Sequence, residues 1–228
     1  MDFFKDPEIK GIIATRGGQG SQRLLPLLDY HAITENPKIL VGFSDTTALQ
    51  LGILKMTGLV SYTGFTLTTK SNQFIKKTLL SCLFDEQYCI TEGEGVNPGI
   101  VEAAIVGGNL SLLTSLIGTP YQPDFEGNIL LLEDVAVEPF NIDRMLSHLE
   151  LAGVFGKISG LIFGQFEDCV SNFDNRDGTI DEVISEWSMR SKVPCIKNFP
   201  YGHGDKNCVL PIGKKVTLDA GVNSVTIY

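Results

Sequence analysis

Histidine is scarce in this chain, with three residues in 228, and tryptophan occurs once. Any histidine base must therefore be His31, His148 or His203. The five cysteines (Cys82, Cys89, Cys169, Cys195 and Cys208) are scattered and form no CxxC pair. That pattern excludes a zinc knuckle and a disulfide framework, and it fits a reducing cytoplasm. No spacing of His, Cys or carboxylate suggests a metal site, and no cofactor is expected. No apolar run reaches the ~20 residues that span a bilayer, and the opening MDFFKDPEIK lacks a basic-then-apolar leader pattern. Basic residues are outnumbered, 18 Lys and Arg against 27 Asp and Glu, for a net charge of -9. Nucleic acid or an anionic membrane would be repelled by that balance, so neither is expected as a partner. Internal repeats and low-complexity segments are also missing.

Apolar side chains, at 43%, suffice for a substantial core. Residues 9–15 (IKGIIAT) read as a buried strand running into the glycine loop RGGQGSQR. Residues 38–42 (KILVG) read as a second buried strand. A helix over 45–56 then places Leu49, Ile53 and Met56 on one face, with Gly58 as its stop. LVSYTG is a third strand. Alternation of strand and helix predicts a parallel sheet with helices on its faces. The polar stretch EGEGVNPG, residues 92–99, is the expected linker between a first unit (1–91) and a second (100–228). The second unit reads as strand VEAAIV, a GGN turn, helix SLLTSLIG, buried strand NILLLED, helix EPFNIDRMLSHLELAGVF, strand KISGLIFGQF, helix TIDEVISEWSMRS and short closing strands.

Four pieces could carry chemistry. GFSD (42–45) lies between a strand and a helix, the setting of a nucleophile elbow, in which Ser44 Oγ stands clear of the backbone and the Asp45 N–H faces the reacting carbonyl. Thr46 replaces the second glycine of GxSxG, and an ordinary helix cap by Ser44 or Asp45 explains the same tetrapeptide. RGGQG can donate backbone N–H groups to an anion, or simply turn. It has no GK(S/T) and is not a P-loop. Glu133–Asp134 end an apolar strand, where α/β sheets place ligands and where carboxylates also merely solvate a strand end. Among the histidines, His31 lies in a polar loop and His148 on an amphipathic helix. His203 sits between two glycines in PYGHGDKN. Ser44, Glu133 and His203 follow the chain order Ser–acid–His of the α/β-hydrolases.

The blocks RGGQGSQRLLPLLDY, NPKILVGFSDTTALQL, GGNLSLLTSLIGTPY, LLLEDV…EPFNIDRML and GHG…LPIG closely resemble the LD-carboxypeptidase family of serine peptidases, which includes the microcin C self-immunity proteins. The resemblance implies an α/β protein. Its first domain is of the class I glutamine-amidotransferase or flavodoxin type, and a mixed α/β domain follows. It further implies Ser44 as nucleophile, Glu133 as acid and His203 as base, with backbone N–H groups of Gly18 and Asp45 as the oxyanion hole. Family members release terminal D-Ala from murein tetrapeptides in cytoplasmic cell-wall recycling, or cut a peptidyl- or aminoacyl-nucleotide analogue. A homodimer acting on a small peptide or peptidyl-nucleotide substrate is the corresponding expectation. Arg16, Arg23 and Arg144 are the candidate cations for the substrate carboxylate. Two departures stand out. Family members begin with further strand–helix units, about 60 residues at ~30 per unit, so a truncated, inactive remnant is a third reading. Thr63 also stands where many relatives carry histidine.

Overall fold

The computed structural model describes residues 1–84, 86–171 and 178–228. Helix α1 (Asp2–Lys5) and strand β1 (Gly11–Ile13) lead into the glycine loop. A 3-10 helix (Ser21–Leu27), α2 (Tyr30–Glu35), β2 (Ile39–Gly42), a 3-10 turn (Ser44–Thr46), α3 (Thr47–Thr57) and β3 (Ser61–Thr63) follow. Then come α4 (Gln73–Leu83), β4 (Tyr88–Thr91), β5 (Glu94–Asn97), β6 (Ile100–Asn109), α5 (Leu110–Leu116) and β7 (Ile129–Val135). The chain continues through α6 (Pro139–Leu151), β8 (Gly160–Glu167), α7 (Ile180–Arg190), β9 (Cys195–Lys197), β10 (Leu210–Ile212), β11 (Lys215–Asp219) and β12 (Ser224–Ile227).

Two sheets result, and the architecture is the expected mixed α/β. The smaller has the order β1-β2-β3-β10, parallel except for β10, which arrives late in the chain and pairs antiparallel with β3. The larger has the order β4-β12-β11-β6-β7-β8-β9-β5, with a parallel centre from β6 to β9 flanked by antiparallel strands. Its middle strand β7 is apolar on both faces (ILLLEDV) and buried along all but its last residue, as a central parallel strand requires. Side chains that satisfy the first backbone N–H groups start the helices: Asp29 for α2, Asn72 for α4 and Asn109 for α5. A reciprocal Thr179–Glu182 capping box starts α7.

Four details differ from the sequence reading. Strands β1 and β2 are not fully buried: Ile13 and Ile39 are each 40% exposed, because β1 is an edge strand and one face of this corner meets solvent. In α3 the residues facing the core are Ala48, Leu51 and Ile53, whereas Met56 is exposed. GGN is no turn. Gly107, Gly108 and Asn109 are the last residues of β6, paired with Leu131, Leu132 and Glu133. Residues 92–99, read as a linker, contain β5, whose main chain is hydrogen-bonded to β9.

One apolar cluster runs through both sheets. It joins Leu25, Phe43, Ala48 and Leu51 to Ile105, Leu113, Leu131 and Phe163. Helix α3 lies between the sheets and packs against β6 and α5, which brings the ends of β2, β6 and β7 to one place. Among the described residues no helix is long and apolar enough to cross a membrane.

Candidate active site

Strand β2 ends at Gly42, and the chain then turns sharply into α3. Ser44 at the turn has φ 64, left-handed backbone that a residue with a Cβ adopts only at a cost. That conformation throws Oγ away from the sheet, into a cavity of about 400 Å³. The turn is not a conventional cap. Asp45 instead accepts hydrogen bonds from the backbone N–H of Gly20 (3.0 Å) and of Ser21 (3.0 Å). The Ser21 hydroxyl donates in return to the Asp45 carbonyl. So the glycine loop is strapped to the serine turn by one carboxylate. Two N–H groups that a phosphate would need are already taken. A Cβ on Gly17 would stand 2.9 Å from Ser44 Cβ, so only glycine lets the loop come this close, while Gly18 lines the cavity.

Of the other two residues of the expected Ser–Glu–His set, Glu133 lies near the end of β7 in the larger sheet and His203 in the loop between β9 and β10. His203 Nε2 lies 3.0 Å from Ser44 Oγ, and its Nδ1 lies 2.7 Å from Glu133 Oε2. Glu133 is fully buried at the end of β7. Burial holds its carboxyl above the usual carboxylate value, while the bonds from His203 and Asn109 pull the other way. Burial alone would lower the His203 pKa. The hydrogen bond and charge of Glu133, with the charges of Asp134 and Glu167, outweigh it and hold the imidazole above 6.5. An ionised Glu133 accepting from Nδ1–H leaves Nε2 free to accept from the serine.

Sequence reading missed the support beneath these residues. Asn109 Nδ2 donates to Glu133 Oε1 (3.2 Å) and to Asp134 Oδ1 (2.9 Å), and Asp134 Oδ2 accepts from the Ser111 N–H and hydroxyl. Asp134 is therefore buried and bonded rather than solvating a strand end. Thr63 does not line the cavity that holds Ser44 and His203. It is buried, and its hydroxyl meets the Tyr201 hydroxyl at 2.9 Å, two residues before His203. A polar residue closing a glycine-containing strand end (GGN) was the available signal for Asn109. Nothing in the sequence pairs Thr63 with Tyr201.

The remaining candidates are not brought together. Arg16, Arg23 and Arg144 do not line the cavity that holds Ser44 and His203, and Arg144 bonds to Asn141 and lies over Phe140. His31 and His148 are exposed, and His31 faces Glu35 on its own helix. Trp187 is buried against Phe155, with its N–H on Asp143. Burial pushes the Cys169 thiol up to about 11 and the Cys195 thiol up to about 12, so neither offers a thiolate. Among the described residues no group of three or more His, Cys, Asp or Glu is placed to hold a metal ion.

A serine at a strained strand–helix turn, an imidazole and a buried carboxylate, hydrogen-bonded in line on an α/β fold, is the arrangement of the Ser–His–acid hydrolases. Comparison with known proteins specifies the family. The LD-carboxypeptidase N-terminal domain matches residues 1–64 and the LD-carboxypeptidase C-terminal domain matches residues 102–218. The chain belongs to the LD-carboxypeptidase family. It is 32% identical to a probable murein peptide carboxypeptidase of Bacillus subtilis (strain 168), over 235 residues that cover 99% of this chain and 74% of the relative. It is also 32% identical to the microcin C7 self-immunity protein MccF of Escherichia coli, over 260 residues covering 97% of this chain and 74% of that one. The solved muramoyltetrapeptide carboxypeptidase from Oxalobacter formigenes superposes with a TM-score of 0.88 at 28% identity, over 99% of this chain and 79% of that chain.

Proposed function

We propose that this protein is a serine peptidase that hydrolyses an L,D-amide bond and releases the terminal D-Ala of a murein tetrapeptide. The observation that carries the reading is the continuous line Ser44 Oγ–His203 Nε2 (3.0 Å) and His203 Nδ1–Glu133 Oε2 (2.7 Å). His203 takes the serine proton as Oγ attacks the scissile carbonyl, and Glu133 stabilises the imidazolium that forms. Backbone N–H groups of Gly18 and Asp45 receive the tetrahedral oxyanion, each contributing about 3–4 kcal/mol in sites of this kind. His203 then protonates the leaving amine, and water, deprotonated by the same imidazole, releases the acyl group from Ser44.

Two facts favour a peptide over an aminoacyl nucleotide. Phe43 is the one aromatic residue among the described residues lining the cavity, and its ring is engaged with His203 and Tyr201, which leaves no platform for a base. The alignment with MccF is also longer than that with the murein peptidase for a similar share of this chain, so the microcin relative carries residues with no counterpart here. A preserved hydrogen-bonded line likewise disfavours an inactive remnant.

Ser44→Ala should reduce D-Ala release from an L,D-tetrapeptide by about 10⁴-fold or more, measured by chromatography of the products. Wild-type turnover in that variant would overturn the assignment of the nucleophile. Turnover of an aminoacyl sulfamoyl nucleotide in preference to the tetrapeptide would overturn the substrate.

A further inference from the structure

A carboxypeptidase must recognise a free terminal carboxylate, and the three arginines that the sequence offers do not line the cavity. Lys70 does. Apart from His203 it is the one basic side chain among the described residues that line it, and among those residues it makes no ion pair or hydrogen bond. An exposed lysine without a partner is ordinary on a protein surface. An unpaired one at the rim of a nucleophile's cavity is a charge held ready for an anion.

The segment before it is built to hold that position. The N–H of Leu67 bonds to the Ala14 carbonyl (3.1 Å) and that of Thr68 to the Thr15 carbonyl (3.0 Å), so this loop lies along the chain that leads into the glycine loop. A turn closes from the Thr69 N–H to the Thr66 carbonyl (3.0 Å), and the Thr69 hydroxyl accepts from the Thr66 N–H (2.9 Å). The Thr66 hydroxyl lies 3.3 Å from that of Thr68 and 3.1 Å from that of Thr69. All three threonines line the cavity beside Lys70. The N–H groups of the loop are therefore spent on the protein, while its hydroxyls and one ammonium border the cavity. On the far side, Asn72 caps α4 and donates to the Asp205 carbonyl (2.7 Å), tying the end of this segment to the His203 loop.

We propose that Lys70, with the hydroxyls of Thr68 and Thr69, is the subsite for the terminal carboxylate of the substrate, and so the residue that makes the enzyme a carboxypeptidase rather than an endopeptidase. One compact ammonium matches one carboxylate. A diphosphate or a run of acidic residues would meet Asp205 in the same cavity with a single lysine to offset it. This inference rests on the peptidase reading above, and the experiment separates the two.

Hydrolysis of an L,D-tetrapeptide with a free C-terminus is compared with that of the same peptide as its C-terminal amide, for wild type, Lys70→Met and Lys70→Arg. Binding of the free-acid peptide to the Ser44→Ala protein, with and without Lys70→Met, is measured by calorimetry. A charge-assisted contact of this kind predicts a KM for the free acid raised about 10- to 100-fold by Lys70→Met with kcat changed less than about threefold, and substantial recovery in Lys70→Arg. The wild-type preference for acid over amide should vanish in Lys70→Met, and peptide affinity for the Ser44→Ala protein should fall by the same factor. Lys70 is exposed, so an unchanged melting temperature is expected and confirms folding. An undiminished preference for the free acid in Lys70→Met, or unchanged affinity in the Ser44→Ala background, overturns the subsite while leaving the peptidase reading intact. No hydrolysis of either peptide by the wild type, together with no binding to the Ser44→Ala protein, overturns both.

Discussion

At the scale of single residues, the site turns on how Glu133 and His203 set each other's charge. The imidazole must be neutral to accept the Ser44 proton, and Glu133 favours its protonated form. The sign follows directly. Because the folded-state pKa of His203 is raised above its ordinary value, kcat/KM falls about tenfold for each pH unit below that pKa and levels off as pH rises through it. A profile of log(kcat/KM) against pH should climb with unit slope and bend above the ordinary histidine value. Glu133→Gln removes the hydrogen-bonded charge that raises the histidine, so the inflection should move down. Its loss of tautomer control should cost about 10⁴-fold in kcat. An inflection unmoved by that substitution would mean that Glu133 does not govern the imidazole. Ser44, Glu133 and His203 were singled out by their chain order and by the family resemblance, since each taken singly had a plainer explanation. Asn109 and Thr63 were not, since an amide and a hydroxyl under a site look like any other polar residue until their partners are placed.

At the scale of elements, the α3–β6 contact decides whether the serine turn meets the acid. Gly108 at the end of β6 has φ 136, and a Cβ there would stand 2.8 Å from Thr47 Oγ1 and 2.9 Å from its methyl. Thr47 Oγ1 accepts from the Asn109 N–H at 3.1 Å, which joins the start of α3 to the residue that holds Glu133. Gly108→Ala should therefore cost about 1–3 kcal/mol of stability through overpacking and strain, measured by urea denaturation. It should also lower kcat, because it displaces α3 from β6. Gly118→Ala serves as the comparison, with φ 77 but open space around it. A loss no larger for Gly108 than for Gly118 would show that close packing is not what the glycine serves. Reading GGN as a turn came from the usual meaning of paired glycines. Here they end a strand: the β7 backbone at Leu131 crowds Gly107, and Thr47 of α3 crowds Gly108.

At the scale of the whole molecule, the apolar core crosses from one sheet to the other, and β10 from the second half of the sequence completes the first sheet. A smaller cluster of Phe4, Ile33 and Ile53 lies within the first half, but the main core is shared between the two sheets, so a single unfolding transition is expected. Urea unfolding followed by the fluorescence of Trp187, which does not line the cavity, should coincide with the loss of far-UV circular dichroism and of peptidase activity. Separate midpoints would mean that the two sheets unfold as independent units.

The family came from the resemblance of five sequence blocks, while periodicity and turn chemistry were enough, in the sequence alone, for the alternation of strands and helices, the buried β7 and the sharp turn at Ser44. These are local properties, written in residue types a few positions apart. Which cation faces the cavity, what Thr63 touches and how the glycine loop is strapped by Asp45 were decided only by tertiary structure. Each depends on bringing together segments 24 to 138 positions apart, and no local pattern carries the direction in which a loop side chain will point once two sheets close on a common core.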